Sequence, residues 1–105
     1  MAPLAGFQRK YLRGIAHHMR PVVTIGKEGL SPSVLGAVET ALDAHELIKV
    51  KFADFKEKEQ KHEIASRIET GAHCEVVGMI GHVVLFFRQQ PDPERRKVQL
   101  PGRMD

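Results

Sequence analysis

Two glycines set three apart, Gly26-Lys27-Glu28-Gly29, are the first candidates for chemistry in this chain of 105 residues. Glycine at both ends of a tight loop lets a backbone approach a phosphate chain without side-chain collision. Just downstream, Ser31-Pro32 has the form of an N-cap followed by proline in a first helical turn. The N–H groups of such a helix start favour negative charge. The same spacing also serves plain turns, so the surroundings of the loop decide its meaning. It is not a nucleotide-hydrolysing phosphate loop, which needs G-x-x-x-x-G-K-[ST], and the dinucleotide fingerprint is missing too.

Other reactive side chains are poorly spaced for catalysis or metal binding. His17 and His18 are adjacent, and neighbours on a helix point about 100° apart, so they do not share one ion easily. His45, His62, His73 and His82 form no H-x-x-x-H pair, and the single Cys74 cannot complete a zinc set. Ser31, Ser33 and Ser66 lack the G-x-S-x-G setting of an activated nucleophile. No cofactor, no metal and no catalytic activity are expected.

The remaining constellation is electrostatic. Net charge is +3, and it is polarised along the sequence. Arg9, Lys10, Arg13, Arg20 and Lys27 precede or enter the glycine loop against the single acid Glu28, whereas Leu30 to Glu46 holds Glu39, Asp43 and Glu46 and no Lys or Arg. Lys49 and Lys51 extend the basic strip if their strand faces the same way. Such a strip beside a glycine loop suits a phosphate backbone and makes affinity salt-dependent. The plain alternative is a set of solubilising charges. Phe7, Phe52, Phe86 and Phe87 read as core, which leaves Tyr11 and Phe55 as the only aromatic candidates for base stacking. Contacts to backbone and phosphate are therefore expected to dominate over the reading of splayed bases.

These side chains need elements to position them. Phe7, Tyr11 and Ile15, with Leu12 and Met19, recur at helical spacing and predict a helix over Phe7–His18 with that stripe inward. Gly14 inside it suggests close packing against a neighbour. Pro21–Ile25 is rich in β-branched residues and reads as a strand. Pro32–His45 is a helix with Val34, Leu35, Val38, Ala41 and Leu42 on its apolar face. Leu47–Phe52 alternates, with Ile48, Val50 and Phe52 on a buried face and Leu47, Lys49 and Lys51 on a wet one. Lys56–Thr70 is a charged helix with a solvated face that stops at Gly71. Cys74–Ile80 and Val83–Arg88 form a hairpin about Gly81-His82, and Val83–Phe87, apolar on both faces, reads as a central strand. The order α-β-α-β-α-β-β makes one α/β domain with a four-stranded mixed sheet over residues 1–90. Pro91 opens a basic tail over 91–105 that reads as mobile, with Arg95, Arg96 and Lys97 docking on the domain or reaching for a partner. No apolar run is long enough to span a membrane, and one cysteine fits a reducing, cytoplasmic setting.

Leu12-Arg13-Gly14-Ile15-Ala16-His17, Arg20-Pro21-Val22-Val23 and Gly26-Lys27-Glu28-Gly29-Leu30 closely resemble the CRM domain, specifically the bacterial YhbY family. The resemblance continues through Ala41-Leu42, His45-Glu46-Leu47-Ile48-Lys49-Val50-Lys51, Glu69-Thr70-Gly71-Ala72 and Arg95-Arg96-Lys97-Val98-Gln99-Leu100-Pro101. It implies an RNA-binding domain similar in fold to the C-terminal domain of translation initiation factor three, with a loop akin to that of KH domains. Bacterial single-domain members associate with precursors of the large ribosomal subunit and act in its assembly, and plant relatives assist intron splicing. The implied RNA contacts are Gly26, Lys27, Glu28 and Gly29, with Arg20 and the bases of the first helix beside them. Glu28 departs from a basic or neutral loop and limits how many phosphates it holds. The expected protein is a cytoplasmic monomer bound to ribosomal RNA. The alternative is an interaction module for a ribosomal protein or assembly factor, with incidental basicity.

Overall fold

In the computed structural model, which describes residues 3–54 and 57–102, seven elements follow in the expected order. They are α1 (Gly6–Ala16), β1 (Val23–Ile25), α2 (Pro32–His45), β2 (Leu47–Phe52), α3 (Lys58–Ala72), β3 (Glu75–Ile80) and β4 (Val83–Phe87). Phe55 and Lys56, and the tail after Gly102, lie outside the described residues. The strands form one sheet in the order β1-β2-β4-β3. β1 runs parallel to β2, as a β-α-β unit requires, and β4 is antiparallel to both of its neighbours.

α2 and α3 cover one face of the sheet and α1 the other. Val38, Leu42, Ala65, Ile68, Ile48, Val50, Val84 and Phe86 fill the first layer, and Leu4, Leu12, Ala16, Leu47, Leu85 and Phe87 fill the second. The alternation along β4 therefore sends Val84 and Phe86 one way and Leu85 and Phe87 the other, which is why the strand is apolar on both sides. For β2 the single wet face is corrected: Leu47 is buried beneath α1, Lys49 is half-buried and only Lys51 is exposed.

The inward face of α1 also differs from the sequence reading. Leu12 and Ala16 point to the sheet, while Phe7 and Tyr11 are each 45% exposed and Ile15 is 37% exposed. Spacing alone picks the larger apolar side chains. The sheet instead leaves room for a small one, and Arg13 lays its aliphatic stem over Gly78. A Cβ added at Gly78 would stand 3.0 Å from the Arg13 Cδ. Gly14 has no close neighbour: a Cβ there would meet nothing within 4 Å.

Gly71 does not end α3. It is where α3 meets α2, since a Cβ at this position would lie 3.0 Å from the Leu35 Cδ2, and the helix closes at His73 in the left-handed region. Two of the α3 charges are tied into the fold: buried Lys61 donates to the Gly81 carbonyl at 2.8 Å, and half-buried Glu69 accepts from the Val76 N–H at 2.7 Å. Both tether the β3–β4 hairpin. Arg88, after β4, donates to Glu39 and Asp43 of α2 at 2.9 Å each and to the Ala72 carbonyl of α3 at 2.7 Å.

The described part of the tail lies against the domain. Val98 and Leu100 pack on the α1 layer, and the Gln8 side chain donates to the Pro101 carbonyl at 3.2 Å. The anchor is Glu46, fully buried between α2 and β2 at a positive φ of 63°. Its carboxylate accepts from the Gln90 N–H at 2.7 Å, the Val98 N–H at 2.8 Å and the Lys97 N–H. A buried carboxylate is tolerated when several donors replace its water.

Candidate nucleic-acid interface

The glycine loop is a hydrogen-bonded turn at the carboxyl end of β1. Gly29 donates its N–H to the Gly26 carbonyl at 3.0 Å, and Lys27 and Glu28 stand exposed at the tip. Gly29 has φ of 77°, a region that favours glycine, whereas a Cβ at Gly26 would face open space. Gly26 thus leaves a bare stretch of backbone at the surface. The start of α2 offers less to an anion than its sequence suggests. Pro32 has no N–H, the Ser31 Oγ accepts from Val34 at 3.1 Å, and Leu35 donates to the Ser31 carbonyl at 2.9 Å. Ser33 is left as the remaining first-turn donor.

The two flanks of the loop are electrically different. Toward α3 it adjoins a depression lined by Glu28, Gly29, Leu30, Gln60, Glu63, Ile64 and Arg67, where two carboxylates oppose a phosphate. On the α1 side of the sheet, β2 carries two lysines. Thr24, two residues before the loop, is the register partner of Lys51. Lys49 shares that side, two residues away, and donates to the Met19 carbonyl just beyond α1 at 2.9 Å. Arg13 and His17 of α1 complete a cleft of about 220 Å³ with Lys49, over a floor that includes Val83 and Leu85. The Arg13 Nη1 also donates to the Val77 carbonyl at 3.5 Å. Helix α1, the middle of β2 and the loop thus present Arg13, Lys49, Lys51 and Lys27 along one side of the sheet and its β1 end.

The other candidates lie apart from this group. Arg20 is at the opposite end of β1, in a surface depression shared with His45, Leu47, Lys97 and Val98. Lys97 of the tail joins it there, a neighbour that sequence order hides. Lys10 is on the outer face of α1, beside Phe7, Tyr11 and Gly14. Arg9 is turned toward β3: its Nη1 donates to the Leu4 carbonyl at 2.7 Å and stands 3.9 Å from Glu75. Its Nη1 is engaged within the fold, while the side chain stays 39% exposed. The sequence marks His17 only by its poor spacing for a metal, because its place in the cleft depends on which face α1 turns inward.

Among the described residues, no three His, Cys, Asp or Glu side chains converge in a way that could hold a metal ion. Burial, with Glu69 nearby, pushes the Cys74 thiol from 9.0 up to about 12, so it stays protonated and a weak nucleophile. No described helix is long and apolar enough to cross a membrane.

Comparison with known proteins matches the chain to a family. Residues 4–88 fit the model of the CRS1 / YhbY (CRM) domain. A Haemophilus influenzae protein named "RNA-binding protein" is 41% identical over 101 residues, covering 96% of this chain and 98% of that one. "Probable RNA-binding protein YqeI" of Bacillus subtilis is 32% identical, covering 93% of this chain and 99% of its own length. The solution structure of protein SAV1595 from Staphylococcus aureus superposes with a TM-score of 0.77 at 30% identity, across 94% of this chain and all of that one. With a single domain of three helices on a four-stranded mixed sheet and a family match across residues 4–88, the chain belongs to the CRS1/YhbY family of CRM-domain proteins.

Proposed function

We propose that this protein binds RNA and that its target is ribosomal RNA in precursors of the large ribosomal subunit, whose assembly it assists without catalysis of its own. The observation that carries the reading is the grouping of Arg13, Lys49 and Lys51 on the α1 side of the sheet, continued by Lys27 in a turn whose Gly26 backbone is bare. Phosphates track such a row, and the bare backbone lets the strand come close. Arg20 with Lys97 forms a second basic spot at the other end of β1. The RNA-binding names of the relatives support the ligand class. The ribosomal target follows from the bacterial YhbY group that the sequence resembles. The protein works as a cytoplasmic monomer in this reading.

Salt-titrated binding to large-subunit ribosomal RNA fragments tests it. If Arg13, Arg20, Lys27, Lys49 and Lys51 all meet phosphate, the logarithm of affinity should fall against the logarithm of salt with a slope of roughly −4. A slope near zero would mean that the basicity is incidental and that a protein surface is the partner.

A further inference from the structure

The outer face of α1 does not meet the sheet. Phe7, Tyr11 and Ile15 form a row at positions i, i+4 and i+8 that turns away from the sheet, all partly open to solvent. Gly14 lies between the Tyr11 and Ile15 turns and adds no side chain, so the helix backbone is a flat floor there. The tail closes one end: Pro101 lines the same shallow depression as Phe7, Lys10, Tyr11, Gly14 and Ile15, and its carbonyl is held by Gln8. The result is an aromatic wall, a bare floor and a lysine.

We infer that this depression stacks an unpaired nucleobase of the bound RNA against Tyr11 and Phe7, with Lys10 on the adjoining phosphate. The inference rests on the RNA reading above and extends it to a single-stranded element. Charge selects the occupant. Lys10 is the one charged side chain that lines the depression, and α1 contributes no acid. A second copy of the same helix would bring like charge to like charge, while a nucleotide brings a flat ring and an anion together. Aromatic faces accept any base, so the contact adds affinity for unpaired RNA with little sequence preference.

Tyr11 is the one tyrosine and the chain has no tryptophan, so tyrosine emission reports this position alone. Titration of the unaltered protein with a ribosomal RNA stem-loop should quench that emission, and a fully paired duplex of equal length should leave it nearly unchanged. Phe7→Ala with Tyr11→Leu should lower stem-loop affinity roughly tenfold and leave duplex affinity unchanged. Stem-loop binding without quenching, and with unchanged affinity in the double variant, overturns the stacking site and leaves the RNA reading standing. Failure to bind either RNA overturns both. If the double variant keeps RNA affinity but loses association with precursor particles, the row belongs to a protein partner and the inference is wrong.

Discussion

Replacing Glu46 with alanine should cost the domain about 3 kcal/mol and lower its melting temperature by roughly 10–20 °C. The side chain is fully buried, and its carboxylate satisfies three backbone N–H groups, those of Gln90, Lys97 and Val98. Alanine removes the acceptor from all three. The Lys97 and Val98 amides recover water only if the tail peels away, which also strips Val98 and Leu100 from the α1 layer. The Gln90 amide is the most costly to leave, because Gln90 is itself buried. Glutamine at position 46 is the sharper variant. It keeps the shape but turns an –NH2 donor toward backbone donors, so part of the loss should persist. The backbone strain at φ 63° is common to all three residues and cancels in the comparison. Denaturant unfolding reads the stability. Limited trypsin digestion reads the tail, with faster cleavage at Arg95, Arg96 and Lys97 expected in both variants. Unchanged stability together with unchanged cleavage would mean that Glu46 does not anchor the tail.

Lys27→Ala combined with Lys51→Ala should weaken binding to a ribosomal RNA fragment by roughly 20- to 100-fold at low salt. A charge-assisted contact to phosphate is worth on the order of 1.5 kcal/mol, about tenfold, and partial exposure reduces this somewhat. The same change should make the salt dependence shallower by about two units of slope. Both residues are exposed, so their loss opens no cavity in the core. Arg9→Ala is the comparison that gives the prediction its meaning. Arg9 belongs to the same basic run in sequence, but its guanidinium is turned to Leu4 and Glu75. It should change RNA affinity less than threefold while lowering stability slightly. Equal losses from Arg9→Ala and from the lysine pair would point to diffuse positive charge rather than a defined row.

Much of this arrangement was legible in the sequence where local chemistry governs it. Ser31-Pro32 starts α2 where an N-cap and a first-turn proline require, Leu47–Phe52 matches β2, and Gly81 makes the hairpin with φ of 58°. The glycine turn stood out for the same reason. What was hidden depends on residues far apart in sequence. The inward face of α1 is chosen by Gly78 and by the tail, both far beyond Arg13 along the chain. That choice exposes Phe7 and Tyr11 and brings His17 to Lys49. Glu46 reads as an ordinary polar residue between a helix and a strand until the tail folds back over it. Lys61 looks solvated in a charged helix because nothing local marks the Gly81 carbonyl as its partner. Charge totals and spacing find the elements and the loop, and only the packing of α1 sorts Arg9 from Arg13.

The most direct measurement is ultraviolet crosslinking of the protein within precursor particles of the large ribosomal subunit, with both the protein residues and the nucleotides mapped. Crosslinks are expected to ribosomal RNA from the peptide that holds Gly26–Gly29 and from the one that holds Lys49 and Lys51. Crosslinks confined to the exposed side of α3, or to proteins of the particle and not to its RNA, would contradict the account.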